Sequence, residues 1–259
     1  MTDNAFTSAR TGTGTREWSE HTHNIGLGCS HGCLYCYARF NAIRFKKIAT
    51  PAEWTKENII PRWAPLKKQG VIMFPTSHDI TPAYYPAALQ ALKAMLSNVN
   101  SVLIVTKPHL DIIQKLCLEL IEYQKQILFR FTITSLNPDV SLLWEPGAPL
   151  PEERINALKH AYHAGYQTSV SAEPLLGNYV TARFIYEETE KYVTDKIWIG
   201  KLNNGRMRIY ELNSRPEVKK AYQDLLRYQT PEGIQRIKKV LKHAPKIAWK
   251  ESMNGKPTA

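Results

Sequence analysis

Short runs of consecutive apolar residues alternate along the chain with longer stretches in which apolar positions recur every three to four residues. THNIGLG (22–28), VIMFP (71–75), SVLIVT (101–106), ILFRFTIT (127–134), QTSVSA (167–172) and KIWIG (196–200) read as six strands. Between them lie helical patterns: YARFNAIRFKK (37–47), PAALQALKAMLSN (86–98), LDIIQKLCLELIEY (110–123) and PEERINALKHAYHAG (151–165). The last has Pro151 at its start and Gly165 just past its end, the usual punctuation of a helix. Residues 51–70 read as helical pieces broken by Pro61 and Pro65. Two more helical patterns, RPEVKKAYQDLLRY and PEGIQRIKKVLKH, lie near the end.

Strands alternating with helices predict an α/β fold of parallel βαβ units. Six units fit a partial (β/α)6 TIM-like barrel; a flat doubly wound sheet is the alternative, and periodicity does not separate the two. Either architecture puts the active site at the carboxyl ends of the strands. The expected organisation is a flexible segment over 1–20, a (β/α)6 core over 21–210 and a helical extension over 211–259 packed on that core. The polar, Thr/Gly-rich residues 1–20 lack the apolar stretch of a signal peptide, and no apolar run is long enough to span a bilayer. A cytoplasmic protein without membrane association is expected.

Charge and cysteine usage narrow the chemistry. The 34 basic and 23 acidic residues leave a net charge of +11, which favours anionic partners, nucleic acid above all. Arg39, Phe40, Arg44, Phe45, Trp54, Arg62 and Trp63 could form a phosphate-binding and base-stacking surface, the alternative being that the aromatics are core and the arginines solvated. Of the four cysteines, Cys117 falls in an amphipathic helical pattern and is expected in the core. Cys29, Cys33 and Cys36 form a C-x3-C-x2-C cluster, with Gly28 and Gly32 to let the loop curl. Soft thiolates clustered in this way suit an iron–sulfur cluster or zinc. A structural zinc site wants four ligands, usually in two pairs. No second cysteine pair exists, and His31 lies awkwardly inside the first gap.

This spacing, after a strand and before a helix, resembles the radical S-adenosylmethionine (SAM) superfamily. The string NIGLGCSHGCLYCYAR resembles its spore photoproduct lyase-like branch. The resemblance implies the radical SAM type of partial barrel, with a [4Fe–4S] cluster on Cys29, Cys33 and Cys36. It implies that the iron left open chelates SAM, whose reductive cleavage yields a 5′-deoxyadenosyl radical. An electron donor such as flavodoxin or ferredoxin is implied too. After VIMFP, the stretch Pro75-Thr76-Ser77-His78-Asp79 is similar to the branch's Thr-Ser-Asp segment, which makes Ser77 or Asp79 the expected contact for the SAM amino end. Lys107 matches a lysine that meets the SAM carboxylate, and Ser135 a serine near the ribose. Glu173, ending SVSAE, is the expected acidic group for ribose or substrate; SAEPLLG is also similar to a phage-associated family with a like Cys loop. Lys201 and Asn203 are expected adenine or substrate contacts.

Tyr35 and Tyr37 match the two tyrosines that the lyase uses in radical relay, and packing against SAM is the other role open to Tyr35. The branch's hydrogen-donating cysteine is replaced here by Pro75, so the lyase's own reaction is not expected. Three readings stay open: a radical SAM enzyme acting on DNA or RNA, one acting on a small molecule, peptide or partner protein, and a non-catalytic iron–sulfur protein.

Overall fold

The computed structural model describes residues 5–7, 12–60 and 67–254. Its centre is a seven-stranded, all-parallel sheet built from β1 (His21–Thr22), β4 (Val71–Phe74), β5 (Ser101–Thr106), β6 (Ile127–Thr132), β7 (Gln167–Ala172), β8 (Ile197–Ile199) and β9 (Ile247–Trp249), in that spatial order. A separate two-stranded ribbon pairs β2 (Gly26–Leu27) antiparallel to β3 (Asn58–Ile59). The strand order never reverses, as a doubly wound sheet requires, so the crossover helices pack along one face and the sheet curls as a partial barrel.

Side-chain alternation sets which face is which. Val102, Ile104, Phe129, Phe131, Val170 and Ala172 point outward into one core with α2 (Tyr85–Ser97), α3 (Leu110–Glu119), α5 (Pro151–His163), α6 (Tyr179–Thr189) and α9 (Pro231–Val240). The intervening residues point inward. Val71, Met73, Leu103 and Leu128 form an apolar plug with Trp18 at the amino ends of the strands. One step nearer the carboxyl ends the inward positions turn polar, as Arg130 and Ser169, then Thr132 and Ser171. Polar groups there imply a wet or liganded cavity, since bare burial would be costly.

Three expectations change. THNIGLG is divided between β1 and β2, because Asn24 turns inward: its Oδ1 accepts the Thr76 and Ser77 N–H groups at 2.7 and 2.8 Å, and its Nδ2 donates to Thr76 Oγ1 at 2.7 Å. The region 211–259, expected to be helical, contributes α8 (Pro216–Tyr228) and α9 but also β9, making seven strands rather than six. Residues 14–18, expected in a loose leader, are packed: Trp18 is buried edge-on to Trp198, and Lys250 donates to the Gly14 carbonyl at 2.7 Å and pairs with Glu17 at 2.8 Å. No described helix is long and apolar enough to cross a membrane.

Candidate active site

The Cys loop lies between β2 and α1 (Tyr37–Arg44). Its path is held from outside: Cys29 N–H donates to the Trp54 carbonyl at 2.8 Å, Leu34 N–H to the Trp144 carbonyl at 2.9 Å, and Gly147 N–H to the His31 carbonyl at 3.0 Å. Gly28 has φ +98°, and a Cβ there would collide with the Lys56 carbonyl, so only glycine fits. Cys36 caps α1, its sulfur accepting the Arg39 N–H at 3.4 Å.

Cys29, Cys33 and Cys36 all line one cavity of about 470 Å³. Burial pushes all three thiols up, Cys33 to about 12, so bare thiolates are disfavoured there. Such a donor set fits a cationic iron–sulfur cluster, which supplies the charge that the thiolates need. A single ion offers a poorer fit. The nearest donors to Cys29 are His31 and Asp79, within 4.8 Å of one another, but both nitrogens of His31 are engaged. Nδ1 bonds Asp79 at 2.8 Å and Nε2 bonds His109 at 3.0 Å.

Behind the loop the buried charges are matched. Asp79 Oδ1 accepts the Lys107 N–H at 2.8 Å, and the Lys107 ammonium lies 3.6 Å from Oδ2. Burial alone would raise the Asp79 carboxyl, but Lys107 and His31 outweigh it and hold it far below the usual range. Tyr35 donates to Glu145, which also accepts from Thr134 at 3.1 Å and pairs with Arg154 at 2.6 Å; Glu145 and Arg154 are fully buried. Tyr37 is half-exposed and donates to the Thr76 carbonyl.

Of the expected site residues, Tyr35, Tyr37, Ser77, Asp79, Lys107, Glu173, Lys201 and Asn203 line the cavity with the cysteines. Ser135 does not: β6 ends at Thr132, and Ser135 is buried in the turn beyond, accepting the Asn137 N–H at 3.1 Å. Thr132 and Ser171, whose hydroxyls lie 3.2 Å apart, occupy the strand tips instead. Cys117 is buried in α3, away from the cavity, its thiol raised to about 12 by burial. The expected nucleic-acid surface holds only in part. Arg39 is buried against Glu211 at 2.9 Å and the Leu34 carbonyl at 2.6 Å, and Trp54 is core; Phe40 is half-buried, and Arg44 and Phe45 are exposed. Arg62 and Trp63 lie outside the described residues.

Several site residues carried no sequence signal. Asn24 and Ser171 read as ordinary strand residues, and Glu145, Arg154 and Arg208 as ordinary loop or helix-surface residues, as does Lys250, whose ammonium lies 3.6 Å from Glu173. Burial raises the Glu173 carboxyl, and Lys250 offsets this in part.

The family model described as the Radical SAM superfamily matches residues 23–186, and the chain belongs to that superfamily. It is 26% identical over 196 residues to the uncharacterized protein ORF301 of Acidianus two-tailed virus, spanning 68% of this chain and 63% of that one. Among solved structures, spore photoproduct lyase complexed with dinucleoside spore photoproduct is similar at a TM-score of 0.58 and 14% identity, over 94% of this chain and 79% of that one. Streptococcus suis SuiB bound to S-adenosylmethionine is similar at a TM-score of 0.51 and 11% identity, over 88% of this chain and 49% of that one. These structural likenesses carry the fold.

Proposed function

We propose that the chain is a radical SAM enzyme that abstracts hydrogen from a nucleic-acid substrate, DNA or RNA. The observation that carries the reading is the convergence of Cys29, Cys33 and Cys36 on one cavity with Lys107, Ser77 and Glu173. When bound, a [4Fe–4S] cluster and SAM supply reductive cleavage to a 5′-deoxyadenosyl radical. The protein residues position and shield. Cys29, Cys33 and Cys36 hold the cluster by three thiolates. Asp79 aims the Lys107 ammonium at the position of a carboxylate, a charge-assisted contact. Asn24 sets the Thr76–Ser77 turn, presenting Ser77 to an amino group. Glu173 accepts from ribose hydroxyls or from substrate. Trp18 and the inward apolar row seal the barrel beneath, which keeps water from the reacting atoms.

Nucleic acid is favoured by the +11 charge and by Arg44 and Phe45, exposed at the carboxyl end of α1. Pro75 lines the cavity where the lyase-like branch has its donor cysteine, so the reaction differs from that lyase's. Anaerobic reconstitution, dithionite and SAM test the reading. The expected result is 5′-deoxyadenosine whose yield rises with a DNA or RNA substrate. A rise only with peptides or small metabolites would move the substrate class. No 5′-deoxyadenosine from an intact cluster would leave a non-catalytic iron–sulfur protein.

A further inference from the structure

Three cations line the cavity, Lys107, Lys201 and Arg208, and among the described residues only Lys107 has a carboxylate within ion-pair distance. Arg208 stands out from the other buried arginines. Arg39 faces Glu211, Arg130 faces Asp195 and Arg154 faces Glu145, whereas the Arg208 guanidinium has no ion-pair or hydrogen-bond partner among the described residues. It lies over the Tyr37 ring at 5.9 Å and is half-buried. Partial burial of an unmatched guanidinium is unfavourable unless an anion arrives, and burial lowers its hold on its proton.

Its position is fixed in advance. Arg39 Nη2 donates to the Leu34 carbonyl at 2.6 Å in the Cys loop and to the Arg208 carbonyl at 3.4 Å, while Nη1 bonds Glu211 at 2.9 Å. The short helix α7 (Gly205–Arg208) is thereby tied to the Cys loop. Arg208 feels the charges of Cys36, Tyr37 and Glu173, and Lys107 those of Asp79, Cys33, Tyr35 and Glu145. Next to Arg208, Arg206 and Met207 on α7 are exposed, as are Arg44 and Phe45 at the carboxyl end of α1, which α7 packs against. On the same loop as Arg208, the buried Asn203 Oδ1 lacks a hydrogen-bond partner among the described residues.

We propose that Arg208, stacked on Tyr37, is the anion anchor of the substrate, taking a phosphodiester oxygen of a single-stranded nucleic acid whose neighbouring nucleotide enters the cavity. This rests on the radical SAM and nucleic-acid reading above. A guanidinium binds phosphate through two parallel N–H donors, and the adjoining aromatic ring offers a base a stacking face. An acidic peptide could offer the anion and meet the basic rim, but its carboxylate side chains make no use of the ring as a stacking face.

The test uses the reconstituted protein. Binding of fluorescein-labelled ten-nucleotide oligo(dT) and oligo(U) is followed by anisotropy across a sodium chloride series, and radiolabelled SAM by equilibrium dialysis on the same preparations. Arg208→Met is expected to weaken binding of at least one oligonucleotide about ten-fold and to make its log–log salt slope shallower by about 0.7, the value of one single-strand phosphate contact. SAM affinity is expected to stay within about two-fold. Arg208→Lys is expected to restore the slope but not the full affinity. Wild-type protein binding neither oligonucleotide would overturn the nucleic-acid reading and the anchor with it. Unchanged oligonucleotide binding in Arg208→Met would overturn the anchor alone. So would a loss of SAM binding, which would assign Arg208 to the cofactor, or Arg208-dependent binding of a labelled poly-Glu peptide in place of either oligonucleotide.

Discussion

The two walls of the cavity treat charge differently. On the Cys-loop wall the buried charges come in matched sets: Asp79 with Lys107 and His31, Glu145 with Arg154 and Tyr35. On the wall formed by the later strand tips and α7, Glu173 shares Lys250 with Glu17, and Lys201 and Arg208 have no carboxylate within ion-pair distance among the described residues. Matched buried networks hold one geometry by themselves, whereas unmatched groups gain from whatever ligand fills the space. Under the proposed function, the first wall would present a cofactor at fixed coordinates. The second keeps its interactions for a visitor.

The largest effect expected from breaking this contrast is at the cysteines. Replacing Cys29, Cys33 or Cys36 with Ala should abolish cluster retention and 5′-deoxyadenosine formation, measured as iron content and product after reconstitution; a variant with full iron content would reassign the ligand set. Next comes the matched wall itself. Glu145→Ala strands the buried Arg154 and should cost about 3–5 kcal/mol of stability in denaturant melts, while Lys201→Met on the other wall should stay within about 0.5 kcal/mol. Equal losses would erase the distinction between the walls. Lys107→Met should weaken SAM binding by roughly ten- to a hundred-fold in equilibrium dialysis, the range for losing a charge-assisted contact. Unaltered SAM affinity would take Lys107 out of the cofactor site.

The smallest effect concerns Glu173. Burial raises its folded pKa above the unfolded value of about 4.3, so the folded state binds its proton more tightly. Its contribution to stability is therefore complete below the unfolded value and declines as pH rises through the folded one. Glu173→Gln should melt slightly higher than wild type at pH 8, with the difference shrinking towards pH 5. A lower melting point at pH 8 would mean that the Lys250 contact outweighs the burial.

Much of this architecture was legible in the chain. SVLIVT and QTSVSA became β5 and β7 without change, the first as a nearly unbroken apolar run and the second as a short segment of small and β-branched residues between turns. β9 was not legible: Ile247–Trp249 is too short for periodicity, and its place comes only from pairing with β8. Arg39 and Trp54 read as surface residues. Arg39 finds Glu211 at a separation of 172 positions, which no local pattern announces. Ser135 was placed by counting past a strand whose end the sequence does not mark.

The sequence by itself determined the thiolate spacing of Cys29, Cys33 and Cys36 and the succession of strands and helices. These are local features, written in neighbouring residues. Only the tertiary structure decided which charges are matched: Arg154 under Glu145, Lys250 between Glu17 and Glu173, and Arg208 over an aromatic ring with no ion-paired carboxylate among the described residues. Ion pairing depends on distance and burial in space, and the chain meets those conditions only once the sheet has brought its distant loops to one rim.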